Sequence, residues 1–136
     1  KITGGLSEAM IDADVFIGLS GKDVLRTEQV ASMAPKSIVF AMANPDPEIL
    51  PDEARKAGAA VIATGRSDFP NQINNALVFP GIFRGALDKG ISKITEETKL
   101  RVARSLAALI SKPTAAKIIP DLLDARVVKA VARAVH

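Results

Sequence analysis

The sequence contains no cysteine, no tyrosine and no tryptophan, and its only aromatics are five phenylalanines. The lack of cysteine excludes disulfides, thiolate nucleophiles and cysteine-based zinc sites together, and it is compatible with a cytoplasmic location. A basic stripe is also lacking. The 18 basic and 15 acidic residues are scattered, leaving a net charge of only +3. Nucleic-acid binding favours clustered cations interleaved with stacking platforms, so no nucleic-acid partner is expected. No apolar run approaches the ~20 residues that a membrane-spanning helix needs, so no membrane partner is expected. The sole histidine is His136 at the terminus, where solvation rather than catalysis is expected.

What is there is an ordinary globular balance. Hydrophobic residues make up 48% and charged residues 24% of 136. That length can bury a real core, and a single domain over 1–136 is expected. The chain starts at Lys1 rather than Met, with a loop-like Lys1-Ile2-Thr3-Gly4-Gly5. This is expected of a piece of a longer protein.

Short apolar runs alternate with helical patterns, which predicts an α/β fold around a parallel sheet of about three strands. Residues 6–11 read as a short helix with Ser7 as candidate cap. Residues 13–19 (Ala-Asp-Val-Phe-Ile-Gly-Leu) read as a strand covered on both faces. Thr27 is a candidate cap for a helix over 28–33, and 37–43 is the second buried strand. Pro51 suits the first helical position, with Asp52 and Glu53 at the positive end and Gly58 as the stop. The third strand covers 59–64. Beyond it the pattern is helical. Residues 71–89 read as one apolar helical region interrupted at Pro80-Gly81, where a kink or break is expected. Thr95 caps a further helix whose apolar face carries Leu100, Ala103, Leu106 or Ala107, and Leu109 or Ile110. A last helix, from Leu122 or Ala125 to Val135, turns Val127, Val128, Val131 and Val135 inward.

Ligands of open parallel sheets bind beyond the carboxyl ends of the strands. Here those ends read Gly18-Leu19-Ser20-Gly21, Asn44-Pro45-Asp46-Pro47-Glu48 and Thr64-Gly65-Arg66-Ser67-Asp68. Each alone is ordinary turn chemistry. Their coincidence on one edge points to a cleft. A sharper feature is Asn71-Gln72-Ile73-Asn74-Asn75, followed by Ala76-Leu77-Val78-Phe79-Pro80-Gly81. Adjacent amides before an apolar run either brace the backbone or face a polar ligand, since an unpartnered buried amide costs roughly 1–3 kcal/mol. If this segment opens a helix, its N–H groups favour a carboxylate or phosphate. The competing reading has Asn71 capping the helix and the other amides bracing a loop.

These motifs, with Ala13-Asp14-Val15-Phe16-Ile17-Gly18 before them and Phe79-Pro80-Gly81-Ile82-Phe83-Arg84-Gly85-Ala86-Leu87 after, resemble the prokaryotic malic enzymes. The resemblance runs from about Gly5 to Val135. It implies the C-terminal part of an NAD(P)-binding domain: a partial Rossmann-like parallel sheet with flanking helices and a helical C-terminal segment. It implies oxidative decarboxylation of malate to pyruvate and carbon dioxide with NAD or NADP and a divalent metal, Mg or Mn. Carried over residue by residue, it places Asn44, Asn74 and Asn75 at the substrate, and Gly18, Ser20, Gly21, Asn44 and Asn74 at the cofactor. It gives no catalytic residue and no metal ligand to this chain. The family's proton-transferring Tyr and Lys and its metal carboxylates lie upstream, as does the Gly-x-Gly-x-x-Gly turn. The rest of the same enzyme is therefore an expected partner, and a homo-oligomer is expected. The alternatives are a non-catalytic dinucleotide-domain-like module for assembly or regulation, or another NAD(P)-dependent dehydrogenase.

Overall fold

The computed structural model describes residues 3–136, so the loop reading of Lys1 and Ile2 lies outside the described residues. The chain forms two compact units, Lys1–Ile73 and Asn74–His136.

The first unit alternates helix and strand: α1 (Leu6–Met10), β1 (Val15–Gly18), α2 (Thr27–Ala31), β2 (Ile38–Ala41), α3 (Pro51–Lys56) and β3 (Val61–Thr64). The three strands pair in parallel in the order β1-β2-β3. Val15 is level with Ile38 and Val61, and Gly18 with Ala41 and Thr64. Because side chains alternate along a strand, this register puts Phe16, Val39 and Ile62 on one face. They join a core with Met10, Leu25, Val30, Met33, Ile49 and Ala54 from the helices and loops. Pro51 and the acidic pair Asp52 and Glu53 open α3 as expected, and Gly58 follows its end at φ 107.

Two expectations fail here. β1 is not covered on both faces: Val15 is 48% and Ile17 60% exposed. An apolar run identifies a strand but does not say which layer is present to cover it. Nor do Ser7 and Thr27 cap. Gly5 precedes α1, with Glu8 reaching back to its N–H at 2.7 Å. Arg26 precedes α2, with Gln29 doing the same at 2.9 Å. In both helices the acid or amide at the third position supplies the acceptor, half of a capping box. Ser7 instead accepts from Gln29 Nε2 at 2.9 Å.

The second unit opens with a single 3-10 turn, Asn75–Leu77, and continues through α4 (Phe79–Lys89), α5 (Glu96–Ala107) and α6 (Ala125–Ala134). Pro80 does not break a helix, because it sits in the first turn of α4. There its missing N–H has no helical partner to lose. Gly81 and Gly85 mark close packing rather than a kink. A Cβ on Gly81 would lie 2.5 Å from Val131 Cβ, and one on Gly85 would lie 2.5 Å from the Ala132 carbonyl oxygen, so α6 crosses almost directly on α4 backbone.

Leu77, Val102, Val127, Val131 and Val135 form the core of this unit. Thr95 caps α5 as expected, accepting from Thr98 N–H at 3.2 Å. The face of α5 is only partly the expected one: Leu106 and Leu109 pack against this core and Val102 is buried, whereas Leu100 is 58% exposed and Ala103 and Ala107 are exposed. Val128 also points outward, at 39%. Lys89 closes the end of α6 by donating to the carbonyls of Ala132, Arg133 and Val135 at 3.3, 2.9 and 2.7 Å. A cation there satisfies carbonyls that the last turn leaves unpaired and suits the negative end of the helix dipole.

Candidate functional site

All three loops at the carboxyl edge of the sheet belong to the first unit, and side chains tie them together. The β1 loop contributes Gly18, Ser20, Gly21 and Lys22. The β2 loop contributes Asn44, Asp46 and Glu48. The β3 loop contributes Arg66 and Asp68. Asp46 stands between the outer two, 3.9 Å from Lys22 Nζ and 3.8 Å from Arg66. Arg66 grips Asp68 with two parallel bonds of 2.9 and 2.7 Å, and its guanidinium lies 5.4 Å from the centre of the Phe69 ring. Hydrogen bonding to Arg66 holds the Asp68 carboxyl below its ordinary range. The long pairs through Asp46 are exposed and contribute little energy. Their value is as a mark that the three loops are neighbours.

The strongest tie is Glu48, a carboxylate with no accessible surface. Its Oε1 accepts from the Ser20 N–H at 2.7 Å and from the Ser20 hydroxyl at 3.1 Å. Its Oε2 accepts from the Ala43 N–H at 3.1 Å. Burial pushes this carboxyl up, and the hydrogen bonds from Ser20, Ala43 and its own backbone N–H more than reverse it, so its pKa lies below the ordinary value. Gly18 passes directly beneath: a Cβ there would fall 2.4 Å from Glu48 Cδ. Leu25 N–H donates to the Glu48 carbonyl at 3.0 Å, tying the loops again through backbone.

On this frame Asn44 is exposed, one residue beyond Ala43, and its peptide bond to Pro45 is cis. Gly21 is one residue beyond Ser20, and a Cβ there would meet nothing within 4 Å. Gly21 thus presents bare backbone to open space, on a turn that Glu48 ties to the residue before Asn44.

After β3 the chain folds back. Ile73 N–H donates to the Thr64 carbonyl at 2.8 Å, and Gln72 forms an isolated parallel bridge with Thr64. Asn71, at φ 58, donates from Nδ2 to the Ile62 carbonyl at 2.9 Å. It therefore braces β3 and does not cap a helix. Asn74 and Asn75 open the second unit. Asn74 Oδ1 accepts from Ala76 N–H at 2.9 Å, capping the 3-10 turn, and Asn75 is exposed. The expected helix start at these amides is only that three-residue turn, too short to gather the N–H groups an anion would need. The structure thus brings Gly18, Ser20, Gly21 and Asn44 together and places Asn74 and Asn75 in the other unit.

Sequence reasoning missed Glu48 as a tie. The signal was an acid set between Pro47 and Ile49, inside a stretch of three buried residues.

The family model described as malic enzyme, NAD binding domain matches residues 6–136. The chain belongs to that family. It is 54% identical over 134 residues to a bifunctional malic/malolactic enzyme of Bacillus subtilis, covering 97% of this chain and 33% of that protein. It is 49% identical over 137 residues to an NAD-dependent malic enzyme of Geobacillus stearothermophilus, covering 99% of this chain and 28% of that one. The crystal structure of malic enzyme from Pyrococcus horikoshii superposes with a TM-score of 0.92 at 49% identity, over 97% of this chain and 31% of that one. The chain therefore spans about a third of the length of such malic enzymes. Its three-stranded parallel sheet with flanking helices is the fold the resemblance implied.

Proposed function

We propose that this chain is part of an NAD(P)-dependent malic enzyme that converts malate to pyruvate and carbon dioxide. The observation that carries the proposal is the exposed Asn44 on the loop that Glu48 ties to the Gly18–Gly21 turn, at the carboxyl edge of a parallel sheet in this family. Gly18, Ser20 and Gly21 then form the turn beside the dinucleotide, and Asn44 reaches both cofactor and substrate. Asn74 uses its oxygen as a cap, which leaves its amide N–H groups for the cofactor's nicotinamide end and for malate. Asn75, exposed, is the second substrate amide.

The oxidised nicotinamide, when bound, supplies the hydride acceptor. The residues of this chain orient the reactants. The malate carboxylate that departs loses its charge as carbon dioxide forms. A fixed cation against it would hold the ground state more tightly than the transition state, whereas neutral amide donors orient it at less cost. Among the described residues no three His, Cys, Asp or Glu side chains converge to hold a metal ion. The resemblance assigns the ligands of a divalent cation and the proton-transferring groups to the rest of the enzyme. Relatives carry both NAD-dependent and NADP-dependent names, so either nucleotide is a candidate. A cytoplasmic, homo-oligomeric whole enzyme, with the two units here forming one part of its NAD(P)-binding domain, completes the proposal.

The test is direct. The whole protein, given malate, NAD or NADP, and manganese, should reduce the nucleotide and release carbon dioxide and pyruvate in equal amounts. Asn44→Ala should lower kcat/KM by about tenfold or more, as expected when reactants lose their register. A whole protein with no malate-dependent reduction would overturn the reading.

A further inference from the structure

Glu48 is a buried carboxylate that makes no ion pair among the described residues, and its partners are the N–H groups and hydroxyl of two different loops. Such a group is costly to bury unless its hydrogen bonds are complete. A lone loop brace could be made with a neutral side chain. The carboxylate does what one amide cannot: it accepts on both oxygens at once, from Ser20 on one side and Ala43 on the other. Both donors sit one residue before a rim residue, the half-buried Gly21 and the exposed Asn44. Gly18 leaves the space for it, since a Cβ there would overlap the carboxylate at 2.4 Å from Cδ.

We propose that Glu48 is a positioning residue of the site: an anionic clamp that fixes the 18–21 turn against Ala43-Asn44 and so sets where the Asn44 amide meets its ligand. Glu48 itself touches no ligand. The inference rests on the malic enzyme reading of Asn44, and it adds a residue to which that reading gives no role. Glu48→Gln replaces one acceptor by an NH2 group, which opposes either the Ser20 or the Ala43 N–H. One loop is then released, and Asn44 drifts.

The experiment is a double-mutant cycle in the whole protein, read as kcat and KM for malate and for the nucleotide. Glu48→Gln should lower kcat/KM for malate by about tenfold or more, because misplacing a reacting partner by ~1 Å costs up to ~10²-fold. In an Asn44→Ala background the same change should cost less than about twofold, because residues that act through one another are not additive. A fold defect alone would lower the amount of active enzyme equally in both backgrounds, and active-site titration with tightly bound nucleotide corrects for it. If Glu48→Gln does not fold, Glu48→Asp is read instead. It keeps the charge but withdraws the carboxylate by one methylene, so it cannot reach both loops and should show the same coupling. Equal losses in the two backgrounds, or wild-type kinetics for the folded Glu48 variant, overturn the inference. Wild-type kinetics for Asn44→Ala alone overturn the reading of the site instead.

Discussion

At the residue scale, the Glu48 carboxyl links the sheet edge to pH. Its pKa is lowered in the folded protein from an ordinary value of 4.5. A group with a depressed folded pKa adds stability above its unfolded pKa, and that increment is lost as pH falls through the folded value. The first unit should therefore weaken on acidification below the usual carboxylate range. Glu48→Gln should remove that part of the slope, and at neutral pH it should cost about 1–3 kcal/mol for a buried donor left without its acceptor. Urea unfolding followed by circular dichroism at several pH values measures both. Parallel pH slopes for wild type and variant would show that the carboxylate is not the titrating group. Asn75 makes a second prediction at this scale. Asn75→Asp sets an anion where an amide is proposed to hold malate, so the KM for malate in the whole enzyme should rise about tenfold or more, one close like-charge contact being worth over 1 kcal/mol at a partly exposed site. An unchanged KM removes Asn75 from the substrate.

At the scale of elements, α4 and α6 meet through Gly81 and Gly85. Either one changed to alanine places a methyl group inside Val131 or against the Ala132 carbonyl. Helix propensity alone favours alanine by ~1 kcal/mol, but overpacking costs typically ~1–3 kcal/mol. Both variants should lose net stability, because the nearest atoms, Val131 Cβ and the Ala132 carbonyl oxygen, are both fixed by the backbone of α6 and cannot rotate away. A raised urea midpoint for either would refute the packing argument. This contact also shows where the sequence was legible. The three strands were visible as apolar runs, and the edge carrying Asn44 followed from strand ends alone. Pro80-Gly81 looked like a break because proline penalises a helix interior, and nothing local says that Phe79 begins a new helix. The face of α5 was legible at Leu106 and Leu109 but misread in its first turns for a related reason: Leu100 and Val102 are both apolar, and only the partner helix decides which turns inward. Glu48 was hidden because burial of an acid depends on donors 28 and 5 residues away in sequence.

At the scale of the whole chain, each unit exposes apolar side chains that its own residues do not cover. In the first unit β1 is an edge strand, and Val15, Ile17 and Leu19 along one side of it are 48%, 60% and 78% exposed. In the second, Phe79, Phe83 and Leu87 form an exposed stripe along α4, with the two rings stacked at 6.2 Å. Exposed edges and contiguous apolar patches drive association in water. The 136-residue chain on its own should therefore self-associate as its concentration rises. Sedimentation at several concentrations should show the average mass increasing, and Ile17→Lys should reduce the effect, because a charge on an edge strand blocks further pairing. The same chain spans about a third of the length of the malic enzymes it matches. Reactants held by only part of a cradle lose the register that hydride transfer needs. Mixed alone with malate, manganese and either nucleotide, the chain should therefore give no reduction of the nucleotide above background. Sustained turnover by the pure chain would refute the expectation of inactivity, and a single mass unchanged across concentrations would refute the association through its exposed faces.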